Sequence, residues 1–155
     1  MMHIFKLKNL FLLAMPALLG LCLSTQVKAQ ASDPGFVTGS GPGGGGMQSL
    51  VLQPDGKTII GGYCITYGET AINRIARVNS NGSLDAGFNI GAGPNGPIFS
   101  ICLQSDGKIL VGGAFSTFNG VSRNCFARLN SDGSLDTGFG TGAGANSHVY
   151  SIAVQ

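Results

Sequence analysis

Leu52-Gln53-Pro54-Asp55-Gly56-Lys57 returns 51 residues later as Leu103-Gln104-Ser105-Asp106-Gly107-Lys108. Gly61-Gly62 returns as Gly112-Gly113 at the same shift. So does Arg77-Val78-Asn79-Ser80-Asn81-Gly82-Ser83-Leu84-Asp85, as Arg128-Leu129-Asn130-Ser131-Asp132-Gly133-Ser134-Leu135-Asp136. An ungapped alignment of 52–102 on 103–153 has 25 identities in 51 positions. This degree of self-similarity marks a repeat architecture, in which one unit cannot bury its apolar faces alone. The flanks continue it. Asp33-Pro34-Gly35-Phe36 matches Asp85-Ala86-Gly87-Phe88, and Val154-Gln155 matches Leu52-Gln53. The organisation expected is a signal peptide over 1–29, a repeat tail with a Gly-rich linker over 30–51, repeat 1 over 52–102, repeat 2 over 103–153, and the start of a truncated repeat at 154–155. Further repeats of the same chain are expected beyond Gln155.

Within a unit the pattern is that of short strands. Ile98 to Gln104 and Val149 to Gln155 alternate apolar with small or polar residues, as half-buried strands do. Ser105-Asp106-Gly107-Lys108 supplies a hairpin turn whose Asp-Gly pair tolerates positive φ. Ile109-Leu110-Val111 is a continuous apolar run, the mark of a strand covered on both faces. The Gly112-Gly113 doublet indicates a bulge or a close backbone approach, after which Ala114 to Phe118 is expected to continue the strand. Asn119-Gly120 turns the chain. Cys125 to Leu129 alternates again, and Leu135 to Phe139 is a fourth short strand. The expected fold is therefore all-β: four-stranded antiparallel repeat units of a β-propeller, about two blades and incomplete. A β-solenoid is the rival, and the hairpin turns favour the propeller. With 26 Gly in 155 residues, a helical bundle is disfavoured, since each mid-helix Gly costs about 0.5–1 kcal/mol.

The first thirty residues read as an address. Lys6 and Lys8 precede a 14-residue apolar stretch, Leu10 to Leu23, and small residues follow at Ala29 and Ala31. This is the layout of a secretory signal peptide, with cleavage after Ala29 or Ala31. The stretch is short of the roughly 20 residues of a spanning helix. A lipid anchor on Cys22 would want a small residue where Leu21 stands. Removal of 1–29 leaves six basic residues against seven acids, a net charge of −1. No basic field remains to attract nucleic acid.

The motifs from Leu-Gln-Pro-Asp-Gly-Lys through Gly61-Gly62 and Arg77-Val78-Asn79 to Asn81-Gly82-Ser83-Leu84-Asp85-Ala86-Gly87-Phe88 resemble the delta-60 repeat. Phe115, Asn119-Gly120, Arg123-Asn124 and Ala127-Arg128 make the second unit the closer match; Cys64, Gly68-Glu69 and Ile72 depart from it. The resemblance implies a bacterial β-propeller-like repeat of a secreted or cell-surface protein, of unknown function, with no catalytic residues to carry over. Kelch repeats share the Gly-Gly doublet, but their Trp is absent.

Candidate chemistry is sparse. Asn79, Asn81 and Gly82 sit at the spacing of positions 3, 5 and 6 of a Ca²⁺ loop, but position 1 would be Arg77. A turn built on Asn-Gly or Asp-Gly is the competing reading, with Asp85 and Asp136 as nearby carboxylates. Gly39-Ser40-Gly41-Pro42-Gly43-Gly44 and Gly91-Ala92-Gly93-Pro94-Asn95-Gly96 satisfy G-x-G-x-x-G, yet a phosphate cradle needs a following helix and strands follow here. They read as linkers. His148 is the one His outside the signal segment, and no nucleophile has a visible base. Arg77/Arg128 recur with Asp55/Asp106 and Asp85/Asp136, which points to a structural ion pair in each blade. Cys64, Cys102 and Cys125 occupy non-equivalent positions and read as small buried hydrophobes. Asn81-Gly82-Ser83 fits an N-glycosylation sequon.

No catalytic residue, metal site or cofactor is assigned. The expectation is a secreted or cell-surface repeat module, not an enzyme, with a structural role or an extracellular ligand that is a glycan or a surface protein. No nucleic acid and no stable membrane span are expected. The alternative is the non-catalytic part of a larger secreted enzyme such as a glycan-degrading hydrolase.

Overall fold

The computed structural model describes residues 41–140 and 144–155. The signal peptide, the 33–36 match and the start of the first Gly-rich linker lie outside the described residues. Taken from its first strand, which begins ahead of the sequence boundary at 52, repeat 1 is the meander β2 (Met47–Leu52), β3 (Thr58–Gly62) and β6 (Ile75–Val78). Ahead of it lies β1 (Pro42–Gly43). A small hairpin, β4 (Thr66–Tyr67) with β5 (Thr70–Ala71), is inserted between β3 and β6. Repeat 2 copies this with β7 (Ile98–Leu103), β8 (Ile109–Gly113), the hairpin β9 (Thr117–Phe118) and β10 (Val121–Ser122), then β11 (Phe126–Leu129). All pairing is antiparallel, in the orders β2-β3-β6 and β7-β8-β11.

The fourth segment of each unit is one bridge long, Val78↔Leu84 and Leu129↔Leu135. Beyond it the chain turns at once, because Asp85 and Asp136 accept the amides of Gly87 and Gly138. Ala114 to Phe118 does not continue β8. The strand ends at Gly113, and Thr117–Phe118 instead pairs with Val121–Ser122 across Asn119-Gly120. Both turn residues take positive φ, 53° and 75°, the requirement of a type I′ hairpin. The 149–155 segment, expected as a half-buried strand, forms no ladder among the described residues. It is held instead by Val149 N donating to Gly113 O (3.1 Å) and Ile152 N to Ser100 Oγ (3.0 Å).

The sheets stack face to face, and alternation along the strands decides what each face meets. Ile59 points toward repeat 2 and joins a core with Ile98, Ile101, Val111, Phe118 and Leu129. Its neighbour Ile60 points the other way, into a second cluster with Ala76 and Val78. The double-sided apolar run thus serves two packing layers at once.

The seam between units repeats at the 51-residue shift. Ile98 and Ile101 lie over Gly61, where an added Cβ would come within 2.8 Å of Ile101 Cδ1. Val149 and Ile152 lie over Gly112 in the same way, at 2.5 Å from Val149 Cγ1. Ile101 N donates to Ser49 Oγ (2.9 Å), as Ile152 N does to Ser100 Oγ. On the far side of repeat 1, Met47, Leu50 and Leu52 hold the positions of Ile98, Ile101 and Leu103 but are 41, 62 and 65% exposed.

Candidate functional site

The recurrent charges form one knot per unit. Asp85 Oδ2 accepts from Arg77 Nε at 2.7 Å and from Lys57 Nζ at 2.9 Å. Asp136 Oδ2 accepts from Arg128 Nε and Lys108 Nζ, both at 2.9 Å. Asp55 and Asp106, expected among the ion-paired residues, are not part of the knot. Their carboxylates accept the amides of Lys57 and Lys108 and close the Asp-Gly-Lys turns. The cation missed in the sequence was the Lys of that same turn motif, whose stem carries its ammonium back to the unit's last carboxylate.

Lys57's ammonium foremost, with the Gly87 amide and Arg77 adding to it, holds the Asp85 carboxyl down at about 2 against the opposing effect of burial. Asp136 is lowered likewise, by Lys108 first and then Arg128. The guanidiniums also cover rings, Arg77 over Phe88 at 4.8 Å and Arg128 over Phe139 at 4.2 Å. Arg77 Nη1 reaches on to Ser131 O (2.7 Å), tying unit 1 to the turn of unit 2. A cavity of about 420 Å³ opens beside this knot, but its charged groups are already matched.

The candidate Ca²⁺ loops use their oxygens internally. Asn81 Oδ1 accepts from Ser83 N and Oγ, and Asp132 Oδ1 from Ser134 N and Oγ. These bonds pull the Asp132 carboxyl below the usual range. Gly82 and Gly133 carry the positive φ of the turn, 84° and 91°. Among the described residues, no three His, Cys, Asp or Glu side chains gather closely enough to hold a metal.

The Gly91–Gly96 segment is a clamp between units. Gly93 N donates to Asn119 Oδ1 (2.7 Å), the Asn73 side chain to Ala92 O, and Asn95 Oδ1 accepts from Ser116 and Thr117. The amides of Gly91, Gly93 and Asn95 are engaged, and β7 follows instead of a helix. Cys64 is fully buried, and burial raises its thiol. Cys102 and Cys125 are only half-buried, and all three are free thiols. Cys125 takes φ of 60° at the turn into β11, as Arg74 does (63°) in unit 1.

His148 has company that the sequence did not reveal. Phe99 and Tyr150 lie parallel, 2° apart, with centroids at 5.1 Å. Tyr63 approaches Phe99 at 5.9 Å, and His148 stands edge-on to both Phe99 and Tyr150. The geometry has a local cause. The β2–β3 register slips between Met47 and Ser49, and the β7–β8 register between Ile98 and Ser100. Gln48 and Phe99 are thus the extra residues of two β-bulges, which redirect a side chain. The second glycine of each doublet makes room. A Cβ on Gly62 would lie 2.4 Å from Gly46 O, and one on Gly113 2.1 Å from Pro97 O. The doublet was legible as a close approach, but which side chain the bulge turned outward was not.

A family model described as a domain of unknown function (DUF5122), beta-propeller, matches residues 53–88 and 104–139. Both repeats are thus similar to the DUF5122 β-propeller family. The matched spans run from the Gln of the Asp-Gly-Lys turn to the Phe under the guanidinium, so the ionic knot lies wholly inside each. Tyr63 falls within the first span, but Phe99, His148 and Tyr150 fall outside both. No curated protein and no solved structure matches the chain. The family carries no catalytic assignment.

Proposed function

We propose that this chain is a non-catalytic binding module that works outside the cell. One observation carries the reading: the two kinds of side chain are divided between two tasks. The polar groups that recur in every unit are engaged in the scaffold, as the Lys57–Asp85–Arg77 knot and the Asn81–Ser83 turn illustrate. Phe99 and its repeat equivalent Tyr150 gather with the non-recurring Tyr63 and His148 at one edge of the seam between units. A rigid scaffold with variable groups at its rim is the usual division in binding proteins. The apolar N-terminal stretch with its small-residue end supports the extracellular setting.

The test is to present the purified full chain to an oligosaccharide array and to a panel of purified extracellular proteins. Saturable binding with the ligand recovered unaltered is the expected result. Turnover of a bound ligand by the chain alone, or no binding across both sets, overturns the reading. Location is checked separately by fusing residues 1–31 to a reporter enzyme, whose appearance outside the cell is expected.

A further inference from the structure

We infer that the groove around Phe99 and Tyr150 is a binding site for a neutral oligosaccharide; this deepens the binding-module reading and rests on it. The groove encloses about 560 Å³, within the range of small-molecule sites. It is lined by Gln48, Tyr63, Pro97, Phe99, His148 and Tyr150. Its aromatic groups are not hidden in a core. Tyr63 is 48% and Tyr150 69% exposed. One face of Tyr150 lies against Phe99.

The chemistry of the lining selects the ligand class. Ring faces carry partial negative charge and suit the C–H face of a pyranose, which is apolar and weakly positive. The rim holds an amide on Gln48, two phenol hydroxyls and the imidazole of His148, whose Nδ1 lies 3.4 Å from Tyr150 Oη. These are donors and acceptors for sugar hydroxyls. Among the described residues, no Asp, Glu, Lys or Arg lines the groove, so an anionic or cationic ligand finds no counter-charge there. A quaternary ammonium would want rings facing inward on several sides, whereas Phe99 and Tyr150 are parallel and face each other. The site is also built in advance. Gln48, Phe99 and Tyr150 stand 51 residues apart, and bulges fix the first two.

Tyrosine fluorescence reads the site directly. The chain has no Trp and only three Tyr, of which Tyr63 and Tyr150 line the groove. The full chain is titrated with cellohexaose, xylohexaose, mannohexaose, laminarihexaose and chitohexaose. At least one should give a saturable change. Tyr150→Ala should weaken that binding about tenfold or more, and Gln48→Ala should weaken it less. Tyr67→Phe should leave it unchanged, because Tyr67 Oη bonds Gly82 O away from the groove. Melting curves of all variants should stay cooperative. Binding that survives Tyr150→Ala overturns the groove assignment and leaves the module reading standing. Binding of a protein ligand that is lost in Tyr150→Ala, with no saccharide bound, overturns the sugar class alone. Absence of any ligand overturns both.

Discussion

Asp85 is the residue on which the first unit's polar structure converges, and its carboxyl is held down at about 2 against an ordinary value of about 3.9 for an unfolded chain. A carboxyl depressed on folding adds stability that is fully present above the unfolded value. That stability is lost as pH falls through the folded value. The melting midpoint should therefore drop between about pH 4 and pH 2, followed by circular dichroism across that range. Asp136, lowered by the same kind of partners, acts in the same direction. Asp85→Asn should lower the midpoint at pH 7 and flatten the acid limb; an acid limb as steep as the parent's would contradict this. The recurrence of Arg with Asp was legible in the sequence as an ion pair. Its third member was not, because Lys57 and Asp85 are 28 residues apart and the turn motif had already explained the lysine.

At the scale of elements, alternation puts β7 and β11 where they stand and Asp-Gly the turn between β7 and β8, whereas the alternating Val149 to Gln155 forms no strand among the described residues. The departures occur where packing decides. Continuation of β8 past Gly113 was the natural reading of Ala114 to Phe118. But the Asn119-Gly120 turn draws Phe118 into its own hairpin, and that ring fills the core at 0% exposure. A fourth strand at Leu135 shrinks to one bridge because Asp136 is needed by the knot. Two glycines separate conformational from steric demand. Gly120 takes φ of 75° with nothing within 4 Å of an added Cβ, so Gly120→Ala should cost about 1 kcal/mol through backbone conformation alone. Gly113 has no such φ, but its Cβ would strike Pro97 O. Gly113→Ala should cost about 1–3 kcal/mol and disturb the Phe99 bulge. Urea unfolding of the two variants checks the order, and a larger loss at Gly120 would contradict it.

For the whole molecule, the governing fact is that one position in the repeat meets two fates. Ile101 is 7% exposed against repeat 1, while Leu50 is 62% exposed. Ile101→Ala should cost about 2–4 kcal/mol as a core truncation. Leu50→Ser should change stability by less than about 0.5 kcal/mol and reduce self-association, since a contiguous apolar face promotes it. Urea unfolding and sedimentation velocity give the two readings, and equal stability losses would sink the seam as drawn. The 51-residue period was enough to foresee that neighbouring units shelter each other. It could not show that the shelter is a glycine socket, because Gly61 and Ile101 meet only after both meanders have formed.

That socket bears on how such a chain can lengthen. Every seam takes its hollow and its serine from one unit and its branched side chains from the unit after. A copied stretch of 51 residues therefore supplies a complete joint wherever in the unit the copy happens to start. Phase matters and boundaries do not, so chains of this build can gain or lose whole units at any in-phase breakpoint without inventing a new contact.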